Sequence, residues 1–249
     1  MAPRSILITG ANRGIGLGLV KQFLKNEGIQ LVIATCRNPS KADELNSIAD
    51  SRLQIFPLEI DCDDSIKKLY ENVDTLVGTD GLTVLINNAA ICSVYEIEGQ
   101  ISRTYMRQQI ETNSVSTAIL TQNFIPLLKK ASAKNGGEEY STDRAAIVNI
   151  SSGAASIGYI DDKQPGIYIA YRMSKSALNS FSKSCSVELA KYHILVTAMC
   201  PGWVKTDMGG ENGWEEVDDA TEKIMKSILK LGAAQHGAFI NSSLEVYPN

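Results

Sequence analysis

Histidine is scarce in this chain: only His193 and His236 occur among 249 residues, and neither has a ligand-like neighbour. A zinc centre is not expected on that supply. The five cysteines, Cys36, Cys62, Cys92, Cys185 and Cys200, are odd in number, widely spaced and form no C-x-x-C pair. They read as reduced thiols in a reducing compartment, not as a disulfide framework. Basic charge is not in excess either. Lys and Arg total 24 against 28 Asp and Glu, a net charge of −4, and no run of cations stands out. A phosphate backbone calls for a basic face, so no nucleic-acid partner is expected. No stretch approaches the ~18 apolar residues of a membrane span, so no membrane partner is expected. Met-Ala-Pro-Arg leads straight into a strand without the longer apolar core of a signal peptide, and a cytoplasmic location is expected. There is no internal repeat, low-complexity tract or Pro/Ser-rich linker, so residues 1–249 are expected to form one domain.

What is present is an average globular composition, 44% hydrophobic and 21% charged. A chain of this length buries about three-quarters of its unfolded surface and needs no disulfide or metal to hold a core. Short β-branched runs alternate with helical stripes. Strands are predicted at Ser5–Thr9, Leu31–Thr35, Leu53–Phe56, Thr83–Ile86, Ala145–Ile150, Ile194–Met199 and Ala238–Ile240. Helices are predicted at Ile15–Lys25, Ser40–Ala49, Asp63–Val77, Arg103–Lys130, Ile167–Tyr192 and Val217–Leu231, with Pro126 expected to kink or interrupt the fourth. Strands apolar on both faces and separated by helices imply a parallel, doubly wound α/β sheet covered on both sides. Loops leaving the C-terminal ends of such strands surround the ligand, which makes 156–166 and 202–216 candidate substrate walls.

The first strand runs into Thr9-Gly10-Ala11-Asn12-Arg13-Gly14-Ile15-Gly16 and then into a helix. Glycine lets the backbone turn sharply and lets a pyrophosphate approach, while the helix N-terminus faces the anion. The turn Gly10, Asn12, Arg13, Gly14, Ile15, Gly16 is therefore a candidate dinucleotide site. The second strand ends in Thr35-Cys36-Arg37, with no acid to take a ribose 2′-hydroxyl. Arg37 and Arg13 can instead clamp a 2′-phosphate. Each charge-assisted bond is worth roughly 1.5–3 kcal/mol, so NADP(H) is expected over NAD(H).

The turn, Asn87-Asn88-Ala89-Ala90, Tyr171-x-x-x-Lys175 and Pro201-Gly202 occur in the order that the short-chain dehydrogenase/reductase family shows. The chain resembles the short-form branch of that family over essentially its whole length. It is most similar to the sniffer-type carbonyl reductases, on the strings Tyr171–Asn179 and Gly202–Met208. Ala90 departs from the family's usual Gly. The resemblance implies a Rossmann-type, seven-stranded parallel sheet, a carbonyl substrate, NADP(H) and a homodimer or homotetramer. It also implies cofactor contacts at Asp61 (adenine), Asn88 and Ala89 (sheet edge), and Pro201, Val204 and Thr206 (nicotinamide carboxamide).

Y-x-x-x-K occurs twice, at Tyr159/Lys163 and Tyr171/Lys175. The first lies in a stretch broken by Gly158, Asp161-Asp162, Pro165 and Gly166, whereas the second lies in a predicted helix, where i and i+4 share a face. Reducing a ketone needs a proton at oxygen, and a free phenol of pKa ~10 is a poor acid near neutrality. Lowering it by three units takes roughly 4 kcal/mol, and a neighbouring ammonium attracts the phenolate in that sense. Tyr171 is thus the candidate proton donor and Lys175 its tuner. The resemblance adds a ribose contact for Lys175, a carbonyl-orienting serine at Ser152 with Ser151 as fallback, and Asn113 holding a water on a relay to the lysine. The Ser152–Tyr171 gap of 19 residues exceeds the family norm, and the extra length is placed at 161–166. Val94, Tyr95, Tyr159, Trp203, Met208 and Trp214 fall in the loops after strands four to six and suggest an apolar or aromatic substrate. Two rival readings are an NADP(H)-sensing binding protein that has lost turnover, and an extended-branch epimerase or dehydratase, for whose substrate domain the short C-terminus leaves little room.

Overall fold

The computed structural model describes residues 2–137, 139–160 and 168–248. Seven strands form one parallel sheet: β1 Ser5–Ile8, β2 Leu31–Cys36, β3 Leu53–Pro57, β4 Val84–Asn87, β5 Ala146–Ile150, β6 Leu195–Cys200 and β7 Phe239–Asn241, in the order β3-β2-β1-β4-β5-β6-β7. Helices α1 Gly14–Leu24, α2 Asp43–Asn46, α3 Asp63–Val77, α4 Arg103–Ile110, α5 Ser116–Asn135, α6 Ile169–Leu189 and α7 Val217–Ile228 connect them. Successive strand residues point to opposite faces. Ile6 and Ile8 join one apolar layer with Leu19, Phe23 and Ile224, while Leu7 joins the other with Leu69, Phe124 and Leu127. Both layers are dry, which is what an all-parallel sheet requires. The strand order reverses between β1 and β4, and the loops after these two strands open the crevice at that switch point.

Three helical expectations are corrected. Over Ser40–Ala49 the chain makes a 3₁₀ turn at Pro39–Lys41 and a single α-turn, α2. Only Ala42 and Leu45 there are fully buried, so there is no apolar stripe to propagate a longer helix. The stretch Arg103–Lys130 is not one helix ended by Pro126. Pro126 lies inside α5 on its exposed face, as does Gln122, whose carbonyl loses its partner and is free to meet water. Buried Phe124, Leu127 and Leu128 hold the helix through that point. The interruption falls earlier, in a π-turn at Glu111–Val115. Helix α6 ends at Leu189, and a 3₁₀ turn covers Ala190–Tyr192. Among the described residues no helix is long and apolar enough to cross a membrane.

Candidate active site

At the switch point, Gly10 takes φ +66°, and a Cβ there would lie 2.9 Å from Ala89 Cα. A Cβ on Gly16 would overlap the Gly10 carbonyl. The phosphate turn can therefore be built only with glycine at these two positions. Buried Thr9 braces it, its hydroxyl accepting the Asn88 and Ala89 N–H groups, each at 3.0 Å. The Asn88 side chain donates back to the Thr9 and Gly10 carbonyls at 2.9 and 3.2 Å. The result is a bare backbone cradle at the head of α1, shaped for a pyrophosphate.

This cradle is one end of a cavity of about 1640 Å³ that also takes in Arg37, Asp61, Ser152, Tyr171, Lys175, Pro201 and Trp203. A drug-sized ligand needs only ~300–1,000 Å³, so a dinucleotide and a second small molecule fit together. Asn12, Arg13, Ile15, Ala89, Ala90, Val204 and Thr206 also line it, so of the expected cofactor and catalytic residues only Asn113 stands outside the wall. Among the described residues no acid pairs with Arg37. Arg13, by contrast, is ion-paired with Asp207. That pair, together with a Thr206 methyl 3.3 Å from where a Gly14 Cβ would stand, brings the loop after β6 against the phosphate turn. The Asp61 carboxylate is taken by the Thr112 hydroxyl at 2.7 Å and the Ser116 hydroxyl at 2.8 Å, so it ties β3 to the start of α5.

The catalytic candidates come together at the other end of the cavity. Tyr171 and Lys175 lie one turn apart on α6, with Lys175 Nζ 5.8 Å from the Tyr171 ring centroid. Lys175 is buried and donates to the Ile150 carbonyl at 2.7 Å. The Ser152 hydroxyl stands beside the Tyr171 phenol, near enough to pull its pKa down. Ser151 points elsewhere, its buried hydroxyl donating to Asn179 Oδ1 at 2.6 Å. The expected lowering of Tyr171 by Lys175 is not found in the protein without cofactor. Burial pushes the phenol well above its ordinary value, the Cys92 and Cys200 thiols add to that, and the Ser152 hydroxyl opposes it. Burial likewise holds Lys175 down at about 8, against a smaller upward pull from the same thiols. Desolvation outweighs attraction because Lys175 is buried with its ammonium turned to Ile150, and Tyr171 is partly covered at the cavity wall.

Asn113 acts from behind. It lies in the π-turn with 1% of its surface exposed. Its side chain donates to the Ile91 carbonyl and accepts the Ile91 N–H, both at 2.8 Å, and also donates to Ser174 Oγ at 3.0 Å. The Ser114 hydroxyl donates to the Ser174 carbonyl at 2.6 Å. Together they hold Ser174, in the second turn of α6, whose hydroxyl donates to the Tyr171 carbonyl at 2.7 Å. π-turns gather at functional sites, and this one aims polar side chains rather than opening a pocket.

Of the expected substrate walls, Tyr159, Trp203, Met208 and Trp214 line the cavity, with Trp203 and Trp214 edge-to-face at 5.5 Å. Val94 and Tyr95 do not line it: Val94 is 57% exposed, and the Tyr95 hydroxyl accepts the Ser102 N–H at 2.9 Å. Lys163 and the insertion placed at 161–166 lie outside the described residues. Cys92, Cys200 and Tyr247 line the site but were not anticipated. Cys200 had a signal, since it ends the sixth strand beside Pro201-Gly202. Tyr247 had none, because nothing local places a chain end in a crevice.

A model of the short chain dehydrogenase family matches residues 4–217. The chain belongs to the short-chain dehydrogenase family, and is an oxidoreductase of that family. Among curated relatives, a short-chain dehydrogenase, anuI, of Penicillium roqueforti is 32% identical over 232 residues, covering 89% of this chain and 87% of the relative. Among solved structures, the carbonyl reductase Sniffer of D. melanogaster is 38% identical over the full length of both chains, with a TM-score of 0.96. An NADPH-bound carbonyl reductase from chicken fatty liver is 38% identical, covering 100% of this chain and 95% of its own, with a TM-score of 0.95.

Proposed function

We propose that the protein is an NADPH-dependent carbonyl reductase that converts an apolar or aromatic aldehyde, ketone or quinone to the alcohol. The observation that carries this reading is that Ser152, Tyr171 and Lys175 share the wall of a cavity that begins at the phosphate cradle. The likeness to a carbonyl reductase solved with NADPH supports the cofactor. When bound, the cofactor supplies a hydride to the carbonyl carbon. Arg37 takes the 2′-phosphate and the Gly10–Gly16 backbone the pyrophosphate. Lys175 meets the nicotinamide ribose, and Val204 and Thr206 flank the carboxamide. Ser152 donates to the carbonyl oxygen, and Tyr171 gives that oxygen its proton. An ordinary phenol is already protonated at neutral pH, and burial only makes Tyr171 slower to part with its proton. The tryptophan pair and Tyr159 exclude water from an apolar substrate. A cytoplasmic, homodimeric or homotetrameric state belongs to the same reading, and light scattering of the purified protein tests the assembly.

The deciding experiment follows NADPH oxidation against a panel of aldehydes, ketones and quinones, repeated with NADH. Tyr171→Phe keeps NADPH binding and loses about 10²–10⁴-fold in turnover, the range for removal of a general acid. Wild-type protein that binds NADPH tightly yet reduces no carbonyl would instead support the cofactor-sensing reading.

A further inference from the structure

The C-terminal segment runs into the active site. Val246 bridges Ile240 antiparallel, and the Tyr247 N–H donates to the Phe239 carbonyl at 2.8 Å. The Tyr247 ring stacks on Phe239 at 4.9 Å and meets Tyr159 edge-on at 5.4 Å. Those contacts aim its phenol at the turn that follows β5. The hydroxyl and the Cys200 thiol stand side by side against Gly153. A Cβ on Gly153 would lie 3.7 Å from that hydroxyl and 3.8 Å from the Cys200 sulfur. The Gly153 N–H donates to the same sulfur at 3.0 Å. A second pin lies three residues on, where the Ser156 hydroxyl donates to the Pro248 carbonyl.

This turn is held by its own 3₁₀ bonds, by the Ser176 hydroxyl donating to the Ala155 carbonyl at 2.8 Å, and by the contacts at Gly153 and Ser156. It reads Ser152-Gly153-Ala154-Ala155-Ser156, with no large side chain to wedge into the core. Its position is set by hydrogen bonds, and the one at Gly153 uses a thiol, a weak acceptor that rotates freely unless something fixes it. The Tyr247 hydroxyl is packed beside it and limits that rotation. Ser152, the first residue of the turn, accepts the Ala154 N–H at 3.1 Å and stands beside the Tyr171 phenol. A path of contacts thus runs from the tail through Cys200 and Gly153 to the hydroxyl that faces the carbonyl.

We propose that Tyr247 is a positioning and specificity-determining residue: its hydroxyl, through Cys200 and Gly153, sets where Ser152 stands, and its ring forms the inner wall against which the substrate packs. The kinetic half of this proposal rests on the carbonyl-reductase reading above. The structural half does not.

Three variants test it: Tyr247→Phe, Tyr247→Ala and Cys200→Ala. Tyr247→Phe keeps the ring and removes the anchor. Its kcat falls about tenfold, within what sub-ångström misplacement of a reacting group costs, while KM and the NADPH dissociation constant stay at wild-type values. Tyr247→Ala also opens the wall, so bulky aromatic carbonyls gain on small aldehydes in kcat/KM. The double variant Tyr247→Phe/Cys200→Ala is no slower than Cys200→Ala alone, because the path runs through the thiol. Independently of any substrate, amide exchange at Gly153–Ser156 speeds up in Tyr247→Phe. Wild-type exchange at these amides in Tyr247→Phe overturns the proposal, as does a fall in NADPH affinity that matches the fall in kcat. A wild-type enzyme that turns over no carbonyl defeats the functional reading, and the exchange experiment still decides whether Tyr247 holds the turn.

Discussion

Lys175 gives its proton-bearing nitrogen to the Ile150 carbonyl, at 2.7 Å, while lying 5.8 Å from the centre of the Tyr171 ring. The ammonium is thereby parked at the end of β5, facing the cavity but enclosed. Burial holds it at about 8, against an ordinary value of 10.5. The sign of the linkage follows. The unfolded chain keeps this proton up to 10.5 and the folded chain releases it near 8, so between those values the unfolded state binds more protons. Stability from this group therefore rises with pH across that window, by up to roughly 3 kcal/mol. The Cys92 and Cys185 thiols, raised by burial from 9.0 to about 11, work in the opposite sense between those two values. The comparison that isolates the lysine is wild type against Lys175→Met in urea titrations from pH 7 to 10.5. The difference in unfolding free energy should move in favour of the wild type as pH rises. A difference that stays flat would mean the ammonium is better solvated than its surroundings indicate.

The two adjacent serines have different partners, and their variants should separate accordingly. Ser152→Ala removes the group beside Tyr171 and should cost about 10²–10³-fold in kcat, as loss of a preorganised donor to a developing oxyanion does. Ser151→Ala removes the part-buried bond to Asn179 and leaves that amide without this partner. It should leave kcat close to wild type and lower stability by about 1–3 kcal/mol. Steady-state kinetics beside thermal melts of both variants check this, and a slow, fully stable Ser151→Ala would reverse the assignment.

The sheet was legible because its strands are apolar on both faces: Ile6, Leu7 and Ile8 leave one parallel arrangement that buries them all. The phosphate turn and the Tyr171/Lys175 pair were legible because their chemistry is local, contained in a turn or one helical step. What escaped depends on distant partners. The π-turn is held by Asp61 and Ile91, far from it in sequence, and helix propensity carries no trace of them. Pro126 misled because a proline breaks a helix only where the freed carbonyl lacks water, and exposure is a tertiary property. The sign of the shift at Tyr171 was misjudged for a related reason. Spacing reveals that a cation is near, but not how deeply both groups are buried.

Cofactor preference should divide unequally between the two arginines. Among the described residues no acid pairs with Arg37 at the cavity, whereas Arg13 is engaged by Asp207. Arg37→Ala should weaken NADPH by one to two decades, roughly 1.5–3 kcal/mol, and leave NADH almost unchanged. Asp207→Asn releases Arg13. An exposed pair of this kind is worth about 0–1 kcal/mol, so NADPH should tighten by at most about fivefold. Fluorescence titration with both cofactors measures each effect, and equal losses of NADPH and NADH in Arg37→Ala would remove Arg37 from the 2′-phosphate.

Asn113 offers the sharpest test of the bracket behind the helix. Its amide makes a two-way match with Ile91, taking the N–H and giving to the carbonyl. Asn113→Asp keeps the shape and the acceptor but sets a carboxylate oxygen against the Ile91 carbonyl. Only a protonated acid can restore that donation, so the folded state raises the pKa of the new carboxyl. Stability is then retained at low pH and lost as pH rises through that raised value, the reverse of the usual carboxylate. At neutral pH the variant should melt below wild type and reduce substrate more slowly, because Ser174 and, through it, Tyr171 lose their tie. Lowering the pH should narrow the gap in melting temperature. Asn113→Ala, with no group to protonate, should show a gap that does not move. If the two variants respond to pH alike, the amide orientation at Ile91 is wrong and the clamp on Tyr171 must come from Ser114 alone.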